Sequence, residues 1–238
     1  MNKIPSGYSL ADIHIHSDCS DGLDSVKTIL DKVKDDGFLS IVCVTDHDTL
    51  KGSEIAWEKR ENYSFEIIKG VEVMSGDGEI IGLFINKNIP KGLSGEETIK
   101  RIHNQNGLAI ATHPFVFPYL ELGGKGVGFK ARKLDLDGVE MINGGPLASY
   151  SNFFARFFYR KLGVARLGGS DSHLAKSVGS VVTIFPGETA EDFRKAILEN
   201  TVIPVRLKPI LKEVFIYGTH GLNFKARIRR RKKRCGED

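Results

Sequence analysis

His14 and His16 stand two residues apart in an alternating run, Leu10-Ala11-Asp12-Ile13-His14-Ile15-His16. On a strand, residues two apart point to one face, so two imidazoles and the Asp12 carboxylate emerge on the same side. Imidazole is the commonest side-chain ligand for metals near neutral pH, and a pair fixes two coordination positions at once. Taken alone, such a pair fits two half-exposed strand histidines equally well. The rest of the chain decides. Asp46 and His47 close the apolar run Ile41-Val42-Cys43-Val44, and Glu72 closes the next one. His113 follows Leu108-Ala109-Ile110-Ala111, Glu140 and Asn143 are read as ending the strand after it, and Asp171 and His173 close the last before residues 179–184. Metal-competent side chains thus recur in order where expected strands finish, which in α/β barrels is the face that carries active sites. Folding alone does not ask for this, because burying unpaired carboxylates and imidazoles is costly. The pattern predicts a site for several metal ions. Cys19 is expected to be a loop bystander near it, and His103 and His220 lie outside the set.

The elements that must position these residues alternate between strand-like and helix-like stretches. A helix capped by Asp24 or Ser25 is expected to run to about Asp36, with Val26, Ile29, Leu30 and Val33 on one face and Gly37 as its stop. A helix carrying Ile55, Ala56 and Trp57 follows the second strand. Phe65-Glu66-Ile67-Ile68 leads to Gly70-Val71-Glu72, the Gly76-Asp77-Gly78 turn follows, and Glu79 to Ile85 reads as a strand. Ser94 and Glu97 have the spacing of a capping box for a helix to about Gln105. Residues 116–136 read as a loop, and Gly138 to Ile142 as a strand. A helix from about Ser149 to Leu162 carries Phe153, Phe154, Phe157 and Phe158, a spacing that suggests core packing. Val181 to Ile184 reads as the final barrel strand, backed by a helix from about Ala190 to Asn200. Alternation of this length favours a barrel or a doubly wound sheet.

Composition bounds the reading. With 238 residues, 41% of them hydrophobic, the chain suits one large α/β domain or two small ones. No apolar run approaches the ~20 residues of a membrane span, and the N-terminal residues lack the apolar core of a signal peptide. Three scattered cysteines (Cys19, Cys43 and Cys235) are too few for a disulfide framework, which points to the cytoplasm, and the lack of a long apolar run points away from membranes. The net charge of +4 conceals an asymmetry. Residues 225–234, from Lys225 to Arg234, read KARIRRRKKR and hold eight cations, so the rest of the chain carries −4. We expect a domain over residues 1–222 and a basic tail over 223–238. The tail reads as a solvated extension, as an electrostatic contact for nucleic acid or, last because apolar residues are scarce there, as an attraction to a membrane surface.

The ordered set also resembles the PHP (polymerase and histidinol phosphatase) domain family. The matching stretches are Asp12 to Gly22 (D-x-H-x-H-S-x-x-S-D-G), Thr45-Asp46-His47-Asp48, Gly70-Val71-Glu72, His113-Pro114 and Ser170-Asp171-Ser172-His173. The resemblance runs from about residue 9 to 200 and is strongest to small stand-alone phosphoesterases, some acting on nucleoside bisphosphates and short oligonucleotides. It implies an α/β fold of the distorted (β/α)7 barrel type. It also implies metal-dependent phosphoester hydrolysis with two or three divalent ions, manganese, iron or zinc, and a phosphorylated small molecule or short nucleic acid as substrate. His14, His16, Glu72 and Asp171 would hold one ion. Glu72 would bridge to a second held by His113, and Asp21, His47 and His173 would hold a third. Where relatives place a further histidine this chain has Glu79, whose added charge would favour manganese over zinc. Only 57 residues lie between His113 and Asp171, fewer than in long-insert relatives, so a more open site is expected.

Mechanistically, clustered ions lower the pKa of water towards about 7 and neutralise phosphoryl oxygens. A hydroxide between the Glu72-linked ions is the expected nucleophile. Glu72, Asp171 and His173 are the expected catalytic set. Asp12, Asp46 and Asp48 would orient imidazole N–H groups from behind. Lys125, Arg132 and Lys176 are the expected substrate contacts, with Lys130 and Lys133 nearby. Two other readings stay open: a histidinol-phosphatase-like phosphomonoesterase, and a non-catalytic nucleic-acid-binding scaffold anchored by the tail.

Overall fold

Val26, Ile29, Leu30 and Val33 fall on one stripe of a helix, and that spacing sets the first turn of the fold. In a computed structural model that describes residues 4–116, 125–145 and 148–208, they are the buried face of α1 (Val26–Asp36). The Ser25 side chain accepts from the Thr28 N–H at its start, and Gly37 closes it at φ 66°, a left-handed conformation open to glycine at little cost. Before it lies β1 (Tyr8–Ile15), and after it come β2 (Ile41–Val44), α2 (Lys51–Glu58), β3 (Glu66–Ile67), β4 (Gly70–Met74) and β5 (Glu79–Leu83). Next are α3 (Gly95–His103), β6 (Leu108–Ala111), β7 (Gly138–Asn143), α4 (Ser149–Phe158) and β8 (Ala165–Gly169). The described fold finishes with β9 (Val181–Pro186), α5 (Ala190–Leu198) and β10 (Ile203–Arg206).

The strands form two mixed sheets, ordered β10-β9-β1-β2-β3 and β4-β5-β6-β7-β8. This corrects the expectation of a distorted (β/α)7 barrel. β1 pairs parallel with β2 but antiparallel with β9, and β4, β5 and β6 form an antiparallel meander, so no continuous parallel ring exists. Between the sheets the strand pairing reduces to single bridges, Ile15 with Ser172 and His47 with Glu72. The sheets nonetheless share an interior, where Ile13, Ile41, Ile81, Leu83, Ile110 and Leu167 pack together. Burial of both inner faces holds the sheets face to face without a closed ladder. Both seams are lined by residues predicted to do chemistry.

Smaller expectations also shift. Glu72 lies inside β4, opposite Ile81, and does not end a strand; the chain crosses from one sheet to the other just before it. β9 is followed by β10, so it is not the last strand. Residues 128–133 of the expected loop form a 3-10 turn. Ser94 caps α3, but Glu97 spends its carboxylate on Arg101, and the complete capping box is Thr189 with Asp192 at α5. Helix α4 departs most. Phe153 and Phe157 face solvent, and only Ser151 and Ala155 of the helix are buried. His220 and the basic residues from Lys225 to Arg234 lie outside the described residues.

Candidate metal centre

Strand alternation delivers His14 and His16 from the end of β1, and their Nε2 atoms face each other at 3.1 Å. Glu72 Oε2 lies 3.3 Å from one and 3.4 Å from the other, and Asp171 Oδ1 lies 3.5 and 3.3 Å away. On the far side of the same carboxylate, Glu72 Oε1 is 3.2 Å from His113 Nε2. Glu79 opens β5 diagonally across from Glu72, on the same face of the hairpin. Its two oxygens lie 3.5 Å from His113 Nε2 and from His47 Nδ1. His47 Nδ1 is also 3.2 Å from Glu72 Oε2. A further group, towards solvent, joins Asp21 to His173 at 3.2 Å, to His47 at 3.6 Å and to His16 Nδ1 at 3.6 Å. All nine expected ligands therefore meet in one place, and Glu79 is among them.

Four overlapping sets of donor atoms lie within 4.8 Å of one another: His16, Asp21, His47 and His173; His14, Glu72 and His113; His14, His16 and Asp171; and His47, Glu72 and Glu79. Among the buried polar atoms without a hydrogen-bond partner are His16 Nδ1, His47 Nδ1, Glu72 Oε2 and Glu79 Oε1. Native interiors pair such atoms, and a cluster of convergent unpaired donors and acceptors fits divalent ions as the missing partners.

Backbone and supporting side chains hold this geometry. His113 and Asp171 adopt φ of 25° and 48°, conformations costly for non-glycine residues and characteristic of over-determined sites. Glu140, a carboxylate inside buried β7, accepts from the His113 N–H at 2.9 Å and meets His14 Nδ1 at 3.0 Å. Asn143 Nδ2 donates to it at 2.8 Å. Thr112 Oγ1 donates to Glu72 Oε1 at 2.9 Å. Gly169 is required for close approach, because a Cβ there would sit 2.5 Å from both Glu140 Oε1 and His14 Cβ.

The expected supporting aspartates act differently from the prediction. Among the described residues, none of the three is hydrogen-bonded to an imidazole. Asp12 accepts backbone N–H groups of His14, Ser170 and Gly179. Asp46 accepts from the N–H and hydroxyl of Ser17 and from the Ser20 hydroxyl, and Asp48 accepts from the Met74 N–H. They fix loops, and the ring-orienting role falls to Glu140. Sequence reading noted Glu140 at a strand end but gave it no role; its signal was a lone acid in an apolar strand. The expected substrate contacts are scattered. Lys125 donates its backbone N–H to Glu79 Oε2 and its ammonium to the Gly76 carbonyl. Arg132 bonds the Phe158 carbonyl, Lys176 is exposed, and Lys130 pairs with Asp77.

Electrostatics follow the packing. Burial opposes ionisation of Glu72 and Asp171, yet the neighbouring imidazoles, His14 foremost, hold both well below the usual carboxylate range. Burial alone would lower His113, but Glu72 and Glu79 outweigh it and raise it to about 10. Asp21 similarly outweighs burial at His173, to about 9. Burial, with His173 and His47 as like-charged neighbours, lowers His16. Glu79 is pushed up to about 7 by burial and by the charge of Glu72.

The family model for the PHP domain matches residues 12–114, and one for the PHP-associated region matches residues 149–202. An uncharacterized protein of Methanocaldococcus jannaschii is 41% identical over 144 residues, 56% of this chain and 81% of that one. This chain belongs to the PHP domain family. A phosphoribosyl 1,2-cyclic phosphate 1,2-diphosphodiesterase of Eggerthella lenta is 31% identical over 102 residues, 40% of this PHP chain and 38% of the enzyme. Among solved structures, a two-domain Bacteroides vulgatus protein containing a predicted PHP-like metal-dependent phosphoesterase superposes with a TM-score of 0.68 at 18% identity, covering 86% of this chain and 67% of that one. Endonuclease Q, solved with a duplex carrying an abasic lesion at its active site, gives a TM-score of 0.62 at 18% identity, covering 80% and 56%. At that identity the superpositions establish the PHP-like fold. Among the described residues no helix is long and apolar enough to cross a membrane.

Proposed function

We propose that this PHP chain is a metal-dependent phosphoesterase that hydrolyses phosphate esters of nucleotides or short oligonucleotides. The observation that carries the proposal is the placement of Glu72. One of its oxygens faces His14, His16 and His47 while the other faces His113, so one buried carboxylate can bridge two ions. His14, His16, Glu72 and Asp171 would hold the first, and Glu72, His113 and Glu79 the second. Asp21, His47 and His173 would hold a third at the solvent edge. Divalent ions there supply activated water at neutral pH and neutralise charge on the phosphoryl oxygens. The chain's own residues supply the geometry. Glu140 occupies His14 Nδ1, which leaves Nε2 directed at the centre. The Asp171 carbonyl meets His173 Nδ1 at 3.2 Å, which directs the other ring nitrogen towards Asp21. Glu79 adds a negative charge where relatives have an imidazole, which favours manganese.

The diesterase among the relatives supports a diester over a histidinol-phosphate-like monoester. The DNA-bound neighbour supports a nucleic-acid substrate. The eight cations of residues 225–234 would add phosphate contacts with strong salt dependence. Lys125, which anchors Glu79 through its backbone, is the best placed of the expected substrate contacts. The free thiols of Cys19 and Cys43 support work in the cytoplasm.

The test is a hydrolysis panel with manganese-loaded protein: a simple phosphomonoester, a nucleoside 3′,5′-bisphosphate and a short single-stranded oligonucleotide. A His14→Ala, His16→Ala double variant is the control. Metal-dependent turnover of a nucleotide substrate, absent from the variant, is the expected result. Bound metal with no turnover of any of the three would refute the substrate class. No bound metal and no turnover would leave a binding scaffold.

A further inference from the structure

Helices α1 and α3 turn their large apolar side chains inward, whereas α4 displays two of its phenylalanines. Phe153 and Phe157 are 68% and 72% exposed and lie one turn apart on one face. With Arg156 between them in sequence, they line an open cleft of about 610 Å³ whose other walls include Ile142, Asn152 and Arg206. The cleft is joined to the metal centre. The Asn152 side chain accepts from the Asn143 N–H at 2.9 Å and donates to the Asn143 carbonyl at 3.0 Å. Arg206 donates to the same carbonyl at 2.8 Å, and Asn143 Nδ2 donates to Glu140, the carboxylate beside His14 and His113.

Charge favours one kind of occupant. Residues 141–170 contain no Asp or Glu and four cations, Arg156, Arg160, Lys161 and Arg166, although the chain outside its tail carries −4. In the cleft itself the charged lining residues are Arg156 and Arg206, with no carboxylate among them, and exposed rings beside such cations suit a polyanion whose units have flat π faces. We infer that the α4 face is a base-stacking platform for single-stranded nucleic acid, with Phe153 and Phe157 against bases and Arg156 on the phosphates. The inference rests on the phosphoesterase reading of the adjoining centre and narrows its substrate to polynucleotide diesters.

The tail also attracts phosphates, so the test must separate bases from charge. Full-length protein in EDTA is titrated by fluorescence anisotropy with a short oligothymidylate and with an abasic strand of equal length. The intact chain should prefer the strand with bases by ~10-fold or more, the scale of one or two stacked bases. The Phe153→Ala, Phe157→Ala double variant should lose that preference while keeping its affinity for the abasic strand. Both rings are exposed, so an unchanged thermal melt should accompany the loss. A preference retained by the variant overturns the inference. So does a preference that appears only after removal of residues 209–238, which would assign the face to the chain's own segment. A light-scattering mass that falls from dimer to monomer in the variant, without any base preference, would assign it to a second copy. Hydrolysis of a small phosphodiester that carries no base, by manganese-loaded protein, keeps the two claims apart. Turnover unchanged in the variant is expected; base preference without turnover in the intact chain would refute the activity and leave the platform standing.

Discussion

The inner and outer halves of the metal centre are built from the same side-chain types but by different means. Around Glu72, the donors His14, Glu79 and His113 are buried, and they are aimed by groups that are themselves fixed: Glu140 on β7, Thr112 after β6 and the Lys125 backbone. At the outer edge, Asp21, His47 and His173 remain 28%, 26% and 18% exposed; Asp21 lies 3.2 Å from His173 and 3.6 Å from His47, whose other ring nitrogen faces Glu72. Inner ligands are thus buried and preorganised, whereas the outer ones lie within water's reach. Preorganisation raises affinity because less ordering remains to be done on binding. The inner ions should therefore bind first and leave last.

The strongest blow to this ordering is Glu72→Gln, which removes the shared carboxylate. We expect activity to fall by more than ~100-fold, beyond the 10–100-fold cost of groups that only orient ligands. Metal analysis should show loss of the inner ions. Retention of two tightly held ions would break the comparison. Next comes Glu140→Gln, which touches no expected ion. It should cost ~10–100-fold in metal affinity through His14 and His113, measured by calorimetric titration. Gly169→Ala should act in the same direction by pushing a methyl group onto Glu140 and His14.

A pH series sharpens the contrast further. Folding raises Glu79 from the usual 4.5 to about 7, so its contribution favours the metal-free fold while it is protonated and is lost as pH climbs from 4.5 through 7. Folding also raises His113 to about 10, so its stabilising contribution is full below 6.5 and lost as pH rises through 10. Metal-free protein should therefore lose thermal stability from about pH 5 upwards. Bound metal should reverse that slope, because it takes the deprotonated ligands. Glu79→Gln should raise the melting temperature of the metal-free protein at pH 8 while weakening its metal binding. Melts with and without EDTA check both. The smallest effect belongs to Asp21→Asn, which should release the outer ion and leave the inner pair in place.

The two regions also differ in how far the sequence foretold them. His14 and His16 were legible because a two-residue strand period places them side by side, and His47, His113, Asp171 and His173 because each follows a short apolar run, whereas Asp21 and Glu79 were expected only from the family resemblance. Helix α1 was legible for the same reason, since Ser25, Gly37 and an apolar stripe agree. What the sequence did not disclose depends on partners distant along the chain. Nothing near Glu140 announces that it meets His14, 126 residues away. The antiparallel turn-back of β9 onto β1, which helps prevent barrel closure, is a long-range pairing with no local signature. Asp12, Asp46 and Asp48 were placed correctly near the centre but given the wrong partner, because nearby backbone N–H groups claim their oxygens. Phe154 and Phe158 of α4 do pack against Phe115, but Phe153 and Phe157 were misread, because helical spacing shows that residues share a face without showing what that face meets.

The most direct test is anomalous diffraction from crystals prepared at limiting and then saturating manganese. The account predicts density first among His14, His16, Glu72 and Asp171, with a neighbouring peak between Glu72, Glu79 and His113, and a peak at Asp21, His47 and His173 only at saturation. Manganese bound elsewhere on the protein, or no ion touching Glu72, would contradict it.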